Sequence, residues 1–132
     1  MSLDRKTINA DDAPPALGPY SHAARAGNLV FISGQVPVDP ATGEIVPGDV
    51  AAQAERCLRN LGIVARAAGG DLGGAVRCGI FLTDLGDFAA VNEVYARYFG
   101  DSPPARSTIE VAGLPLGAKV EIEAVIAVPG DA

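Results

Sequence analysis

The order of apolar and polar positions divides the chain into strands and helices before any residue of special chemistry is considered. Tyr20 to Ala26 and Leu29 to Ser33 read as two strands joined at Gly27-Asn28, a two-residue hairpin signal. A short strand at Lys6–Asn9 is predicted ahead of them, in an irregular lead-in that ends at Pro14-Pro15 and Gly18-Pro19. Pro37 to Pro47 reads as a loop, with Asp39-Pro40 and Thr42-Gly43 as turn chemistry. From Asp49 the period changes. Val50, Ala54, Cys57, Leu58, Leu61, Val64, Ala65 and Ala68 recur at helical spacing, while Gln53, Glu55, Arg59 and Arg66 fall mostly elsewhere on the wheel. Asp49 is a natural N-cap and Gly69-Gly70 a natural stop. A second helix is predicted from Asp87 to Phe99, with Phe88, Val91, Tyr95 and Tyr98 on one face, read as core, and Gly100 beyond its end. Val76 to Thr83 is a strand between the helices; Arg106 to Val111 and Lys119 to Val128 follow, linked through Gly113–Gly117.

This order predicts one α+β domain over residues 1–132, a mixed sheet of about six strands packed on two helices. The strand faces carry a further implication. Val76, Cys78, Ile80 and Leu82 share one face of their strand, and Phe81 lies on the other between Gly79 and Thr83. Leu29–Ile32 and Val125–Val128 are apolar at consecutive positions, so both of their faces call for burial. Two helices cover one face of a sheet. Another subunit is the simplest cover for the second, and a closed homo-oligomer is expected.

Composition changes this picture little. The absence of Trp, with three Tyr and four Phe, leaves a core of Val, Ile, Leu and Ala. Ten basic residues against sixteen acidic ones give a net charge of −6, which repels phosphate backbones. Arg25, Arg56, Arg59, Arg66, Arg77 and Arg97 are scattered along the sequence and form no local basic patch, so no nucleic-acid partner is expected. Cys57 and Cys78 fit buried apolar positions and, with the single His22, compose no metal cluster. Residues 1–16 are polar and contain proline, and no long apolar run follows. The reading is a cytoplasmic protein with no membrane partner.

The candidates for chemistry are few. Glu121 and Glu123 alternate with Val120, Ile122 and Ala124 and share the face that ends in Val125 and Ala127. A carboxylate on a partly apolar face at a subunit boundary is desolvated and becomes a better base. Arg106 opens a strand after Pro103-Pro104-Ala105, a stiff approach for a fork that matches a carboxylate. Ser33-Gly34-Gln35 closes an apolar strand, where a hydroxyl and backbone N–H groups are available. Tyr20 follows the rigid Gly18-Pro19 turn. There is no P-loop, no GxGxxG and no Gly-x-Ser-x-Gly, so chemistry rests on an arginine, carboxylates, hydroxyls and water. That set suits hydrolysis of a small, already reactive anion.

Gly18-Pro19-Tyr20-Ser21, Phe31 to Pro37 and Thr42-Gly43-Glu44 resemble the N-terminal half of the RidA (YjgF-type) family. Phe81 to Phe99 is similar to its middle segment, and Pro104-Ala105-Arg106-Ser107 with Val120 to Ala124 to its C-terminal signature. The resemblance runs from about residue 5 to 128. It implies a chorismate-mutase-like fold, a homotrimer with active sites between subunits, no cofactor, and hydrolysis of 2-aminoacrylate and related enamines or imines to 2-keto acids and ammonia. It further implies that Arg106 pairs with the substrate carboxylate and Glu121 activates water, with Tyr20, Ser33, Gly34, Asn92 and Thr108 lining the cleft. Thr108 stands where deaminating members commonly have Cys, His22 where Gln is common, and Gly113 where a basic residue is frequent. Two other readings stay open: a non-catalytic trimer that binds small carboxylates, and a ribonuclease or translation inhibitor.

Overall fold

A computed structural model describes residues 4–130. The elements in chain order are β1 (Arg5–Ile8), β2 (Ala23–Ala26), β3 (Leu29–Gln35), β4 (Val38–Asp39), β5 (Glu44–Ile45), α1 (Val50–Ala67), β6 (Ala75–Leu82), α2 (Phe88–Phe99), β7 (Ala105–Glu110) and β8 (Val120–Ala127). A six-stranded sheet has the order β1-β2-β3-β8-β6-β7. Only β6 and β7 pair in parallel, joined by α2 as the crossover; the other neighbours are antiparallel. The predicted α+β layering on two helices is the observed one.

Each helix forms for the reasons its sequence carries. Asp49 caps α1 by accepting from the Ala52 N–H at 3.0 Å, and Gly69 beyond it takes a left-handed φ of 91°. The predicted apolar stripe of α1 is buried from Val50 through Ala68. It packs on Val30, Ile32, Ile80, Leu82, Val120, Ile122 and Ile126, the inward residues of the central strands. Gln53 departs from its expected polar position: it is buried because its side-chain oxygen accepts the Lys119 N–H at 2.8 Å. Asn60 is buried as well, its amide donating to Val36 O at 3.2 Å and Val38 O at 3.0 Å while Arg56 Nε donates to it at 2.9 Å. It thereby ties the segment after β3 to the helix.

Four expectations need correction. The strand expected from Tyr20 starts only at Ala23, because Tyr20 N–H turns back to Gly18 O at 2.8 Å and Asn9 Oδ1 accepts the His22 N–H. The loop expected over Pro37–Pro47 holds the small β4–β5 ladder, closed by Gly43 at φ 74°. Val76, expected on the core face, is 46% exposed: the β6–β8 register shifts between Ala75 and Arg77, and the extra residue turns outward. Arg56, Arg59 and Arg66, scattered in sequence, converge on one groove beside α2, because positions three, seven and ten apart share a helix face.

The second face of the sheet carries Leu29, Phe31 and Ile109, each 40–50% exposed, together with Glu121, Glu123 and Val125. No helix covers it. Cys57 and Cys78 are buried free thiols, as expected. Among the described residues no helix is long and apolar enough to cross a membrane, and no group of His, Cys, Asp or Glu is placed to hold a metal.

Candidate functional site

The sequence candidates separate into two groups on opposite sides of the sheet. Glu121 pairs with Phe81 and Glu123 with Gly79, on the uncovered face. Arg106 pairs with Cys78 and Thr108 with Ile80, whose side chains are buried under the helices. Neighbouring residues in register point the same way. Arg106 and Thr108 therefore belong to the helix side, at the margin where β7 forms the sheet edge.

The first group is built around an irregularity in β3. Ile32 pairs with Ala124 and Gln35 with Ile122, so Ser33 and Gly34 together oppose one residue of β8. This bulge brings Gly34 beneath the Glu121 side chain. A methyl placed on Gly34 would lie 2.9 Å from Glu121 Cδ and 3.2 Å from Cγ, so only glycine leaves the carboxylate its place. Ser33 donates its hydroxyl to Ser21 O at 2.7 Å, which fixes the residues following Tyr20. The Tyr20 phenol accepts the Leu17 N–H at 3.0 Å and lies 46% exposed. Leu17, Tyr20, Ser33, Gly34, Val36, Pro115 and Glu121 line an open cleft of about 510 Å³. Leu116, at φ 59° and 57% exposed, stands over an adjoining depression with Tyr20 and Gly34.

Burial, and secondarily the neighbouring Glu123 charge, raise the Glu121 carboxyl above the ordinary carboxylate range. Glu123 is held apart from it by Arg77 at 3.8 Å, and Arg77 also donates to Ser107 Oγ at 3.4 Å. His22 has a structural place: its Nδ1 accepts the Ala10 N–H at 2.9 Å, so Nε2 carries the proton and donates to Pro14 O at 2.8 Å.

The second group surrounds Arg106. Its guanidinium lies 4.8 Å from the Tyr95 ring centroid and 5.4 Å from that of Phe88, within cation–π range. No carboxylate lies within ion-pair distance of it among the described residues. Phe88, Asn92 and Tyr95 are four and three residues apart on α2, which sets Asn92 between the two rings on one helix face. The Thr108 Oγ1 and Tyr95 hydroxyl are buried without a hydrogen-bond partner. Burial, and then the adjacent Cys78 thiol, push the Tyr95 hydroxyl up, so it stays protonated and able to donate. The aromatic spacing on α2 predicts a core face; Val91 and Tyr95 are buried, but Phe88 is 41% exposed beside Arg106. The sequence does not mark Tyr95 or Phe88 as site residues, because their spacing is also that of a packing stripe.

A planar cation with unpartnered hydroxyls is suited to a small carboxylate. A desolvated carboxylate over a glycine bulge is suited to moving a proton. Among the described residues the two groups lie on opposite faces of the sheet.

The sequence matches the family model described as Endoribonuclease L-PSP over residues 10–128. Protein DfrA of Myxococcus xanthus is 60% identical over 125 residues, spanning 93% of this chain and 95% of that protein. A Mus musculus protein named 2-iminobutanoate/2-iminopropanoate deaminase is 48% identical over 129 residues, 98% of this chain and 95% of its own. The crystal structure of RidA from the Antarctic bacterium Psychrobacter sp. PAMC 21119 superposes with a TM-score of 0.89 at 45% identity, covering 93% of this chain and 99% of that one. With its bulged Gly34 under Glu121 and its Arg106 stacked beneath α2, the chain belongs to the RidA (YjgF-type) family.

Proposed function

We propose that the protein hydrolyses small enamine or imine acids, such as 2-aminoacrylate and 2-iminopropanoate, to 2-keto acids and ammonia, in sites formed between copies of the chain. The observation that carries this reading is Arg106, stacked on two aromatic rings with no carboxylate of its own among the described residues. A guanidinium held flat in this way is prepared for a bidentate partner from outside the chain.

The site becomes complete when the Arg106 margin of one copy meets the uncovered face of the next. The two surfaces differ, so the contact is heterologous, and a closed ring satisfies both surfaces in every copy. Leu29, Phe31 and Ile109 supply the apolar area for such a contact. A homotrimer is the ring the family resemblance implies.

Arg106 fixes the carboxylate of the bound imine, and the Thr108 and Tyr95 hydroxyls and Asn92 amide are available to its remaining polar atoms. A water held by Glu121 attacks the imine carbon, and its proton passes to the carboxylate. Glu121 returns that proton to nitrogen to give the carbinolamine, then relays the hydroxyl proton to the same nitrogen as the C–N bond breaks, so that ammonia leaves and the oxygen of water remains as the keto oxygen. A carboxyl raised by burial is a stronger base than an ordinary glutamate and is suited to both transfers. The imine is already electrophilic, so positioning and proton handling suffice.

The test is a coupled assay in which an amino-acid dehydratase generates the imine and keto-acid release is followed by stopped flow. Wild type should accelerate release, and Arg106→Ala should lose at least about a hundredfold of kcat/KM, the loss expected when a bound substrate is no longer held in position. Equal acceleration by Arg106→Ala at unchanged assembly size would refute the assignment. Keto-acid binding without any acceleration would favour the non-catalytic carboxylate-binding reading.

A further inference from the structure

A groove on the far side of the molecule has no part in the chemistry above. The outer face of α1 carries Arg56, Arg59, Ile63 and Arg66, spread over roughly 15 Å of helix axis. With Leu58, Gly62, Leu72 and Tyr98 they line a depression of about 430 Å³ between α1 and α2. That volume lies within the range of about 300–1,000 Å³ typical of small-molecule sites.

Three arginines in one groove are unexpected on a chain of net charge −6. The only acidic residue one helical turn away is Glu55, and it is engaged: the Tyr98 hydroxyl donates to it at 2.8 Å. Arg56 spends its Nε on Asn60, leaving its terminal nitrogens. Arg66 folds back over the groove floor, its Nη1 3.4 Å from where a Gly62 side chain would begin. Asp11 and Asp12 share a neighbouring depression with Arg66. Among the described residues none of the three arginines makes an ion pair. At the Tyr98 hydroxyl the Glu55 carboxylate acts ahead of Arg59 and Arg56, so one carboxylate and two guanidinium groups lie near the same end of the aromatic wall. The groove lies on the helix layer, away from the uncovered sheet face.

We propose that this groove binds a nucleoside phosphate, its base against the Tyr98 ring and the apolar floor and its phosphates held by Arg56, Arg59 and Arg66. The lining favours a ligand that is part flat ring and part anion. Guanidinium groups match phosphate oxygens bidentately, and an aromatic ring stacks on a base without regard to its identity.

The test is isothermal titration of the assembled protein with ADP at low salt, with adenosine and pyrophosphate as separate titrants. Wild type and Arg106→Ala are compared with the double variant Arg59→Ala/Arg66→Ala. Both changes replace exposed helix positions by the best helix former, and far-ultraviolet circular dichroism confirms folding. Saturable ADP binding is expected in wild type and Arg106→Ala, weakened by roughly 10- to 100-fold in the double variant. Adenosine and pyrophosphate should each bind more weakly than ADP. The proposal is overturned by absence of saturable ADP binding, by equal affinity in the double variant, or by loss in Arg106→Ala alone. Pyrophosphate binding as tightly as ADP would likewise overturn it, because the aromatic wall would then have no role.

Discussion

Substitution of Gly34 by alanine isolates the position of one carboxylate. Gly34 is not among the glycines with left-handed backbone, so alanine meets no backbone penalty there. The added methyl falls 2.9 Å from Glu121 Cδ and 3.2 Å from Cγ, inside the 3.4–4 Å of ordinary contact. The overlap falls on the carboxyl group itself, with Oε1 the nearest atom, and extends to Cγ of the stem, so the carboxylate must swing by about 1 Å, at a rotamer cost of about 0.5–1.5 kcal/mol. A displacement of about 1 Å at a reacting group costs on the order of a hundredfold in rate. Gly34→Ala should therefore lower kcat by about a hundredfold, with KM nearly unchanged because Arg106 lies on the other side of the sheet.

Two matched variants make this decisive in the coupled keto-acid assay. Gly113→Ala points into open space and should behave as wild type. Gly79→Ala creates the same collision with Glu123, 2.9 Å from its Oε2, and should spare the rate if Glu123 takes no proton. The pH profile adds a second readout. Burial raises the Glu121 carboxyl, so the base form is lost on acidification at a higher pH than for an ordinary glutamate. Moving it toward solvent lowers that value, and the acid limb of Gly34→Ala should shift to lower pH. Full activity in Gly34→Ala, or an equal loss in Gly79→Ala, would refute the placement of Glu121 at the reacting centre.

Three further outcomes follow from the same geometry. The Thr108 Oγ1 is buried without a partner, so Thr108→Val should leave the unfolding free energy unchanged or raise it by up to about 1 kcal/mol, while raising KM if the hydroxyl serves the ligand. Asn60→Leu removes the donors to Val36 O and Val38 O and should cost about 2–4 kcal/mol in denaturant unfolding. Glu121→Gln tests linkage: because the folded carboxyl titrates above its ordinary 4.5, the ionised form subtracts stability at neutral pH and nothing below that value. The variant should melt higher than wild type near neutrality, and the difference should vanish in acid.

The helices and strand β8 were legible because their information is local. A cap at Asp49, a stop at Gly69 and an apolar stripe between them specify α1 whatever it packs on. Alternation over Val120–Ala124 specifies which residues share a face, and Glu121 and Glu123 lie together as expected. Irregularities of pairing were not legible. The extra residue at Val76 and the Ser33-Gly34 bulge exist only relative to a partner strand, and no single strand's pattern announces that two residues will oppose one. The same limit hid the arginine groove, which needs α2 to supply Tyr98.

The separation of Arg106 from Glu121 has the same origin and the larger consequence. Alternation within β7 and within β8 says nothing of their relative phase, which is set through β6, paired in parallel with one and antiparallel with the other. That phase sends the guanidinium under α2 and the carboxylate to the bare face. Had they shared a face two strands apart, with no carboxylate otherwise near, Arg106 would be free to pair with Glu121 and neutralise the charge a substrate must find. Placing them on opposite sides of one sheet keeps both unpaired within a chain, the guanidinium parked on aromatic rings and the carboxylate over a glycine. The sheet itself thus insulates the two charges, and in the proposed assembly it is the meeting of different copies that would bring them to one ligand.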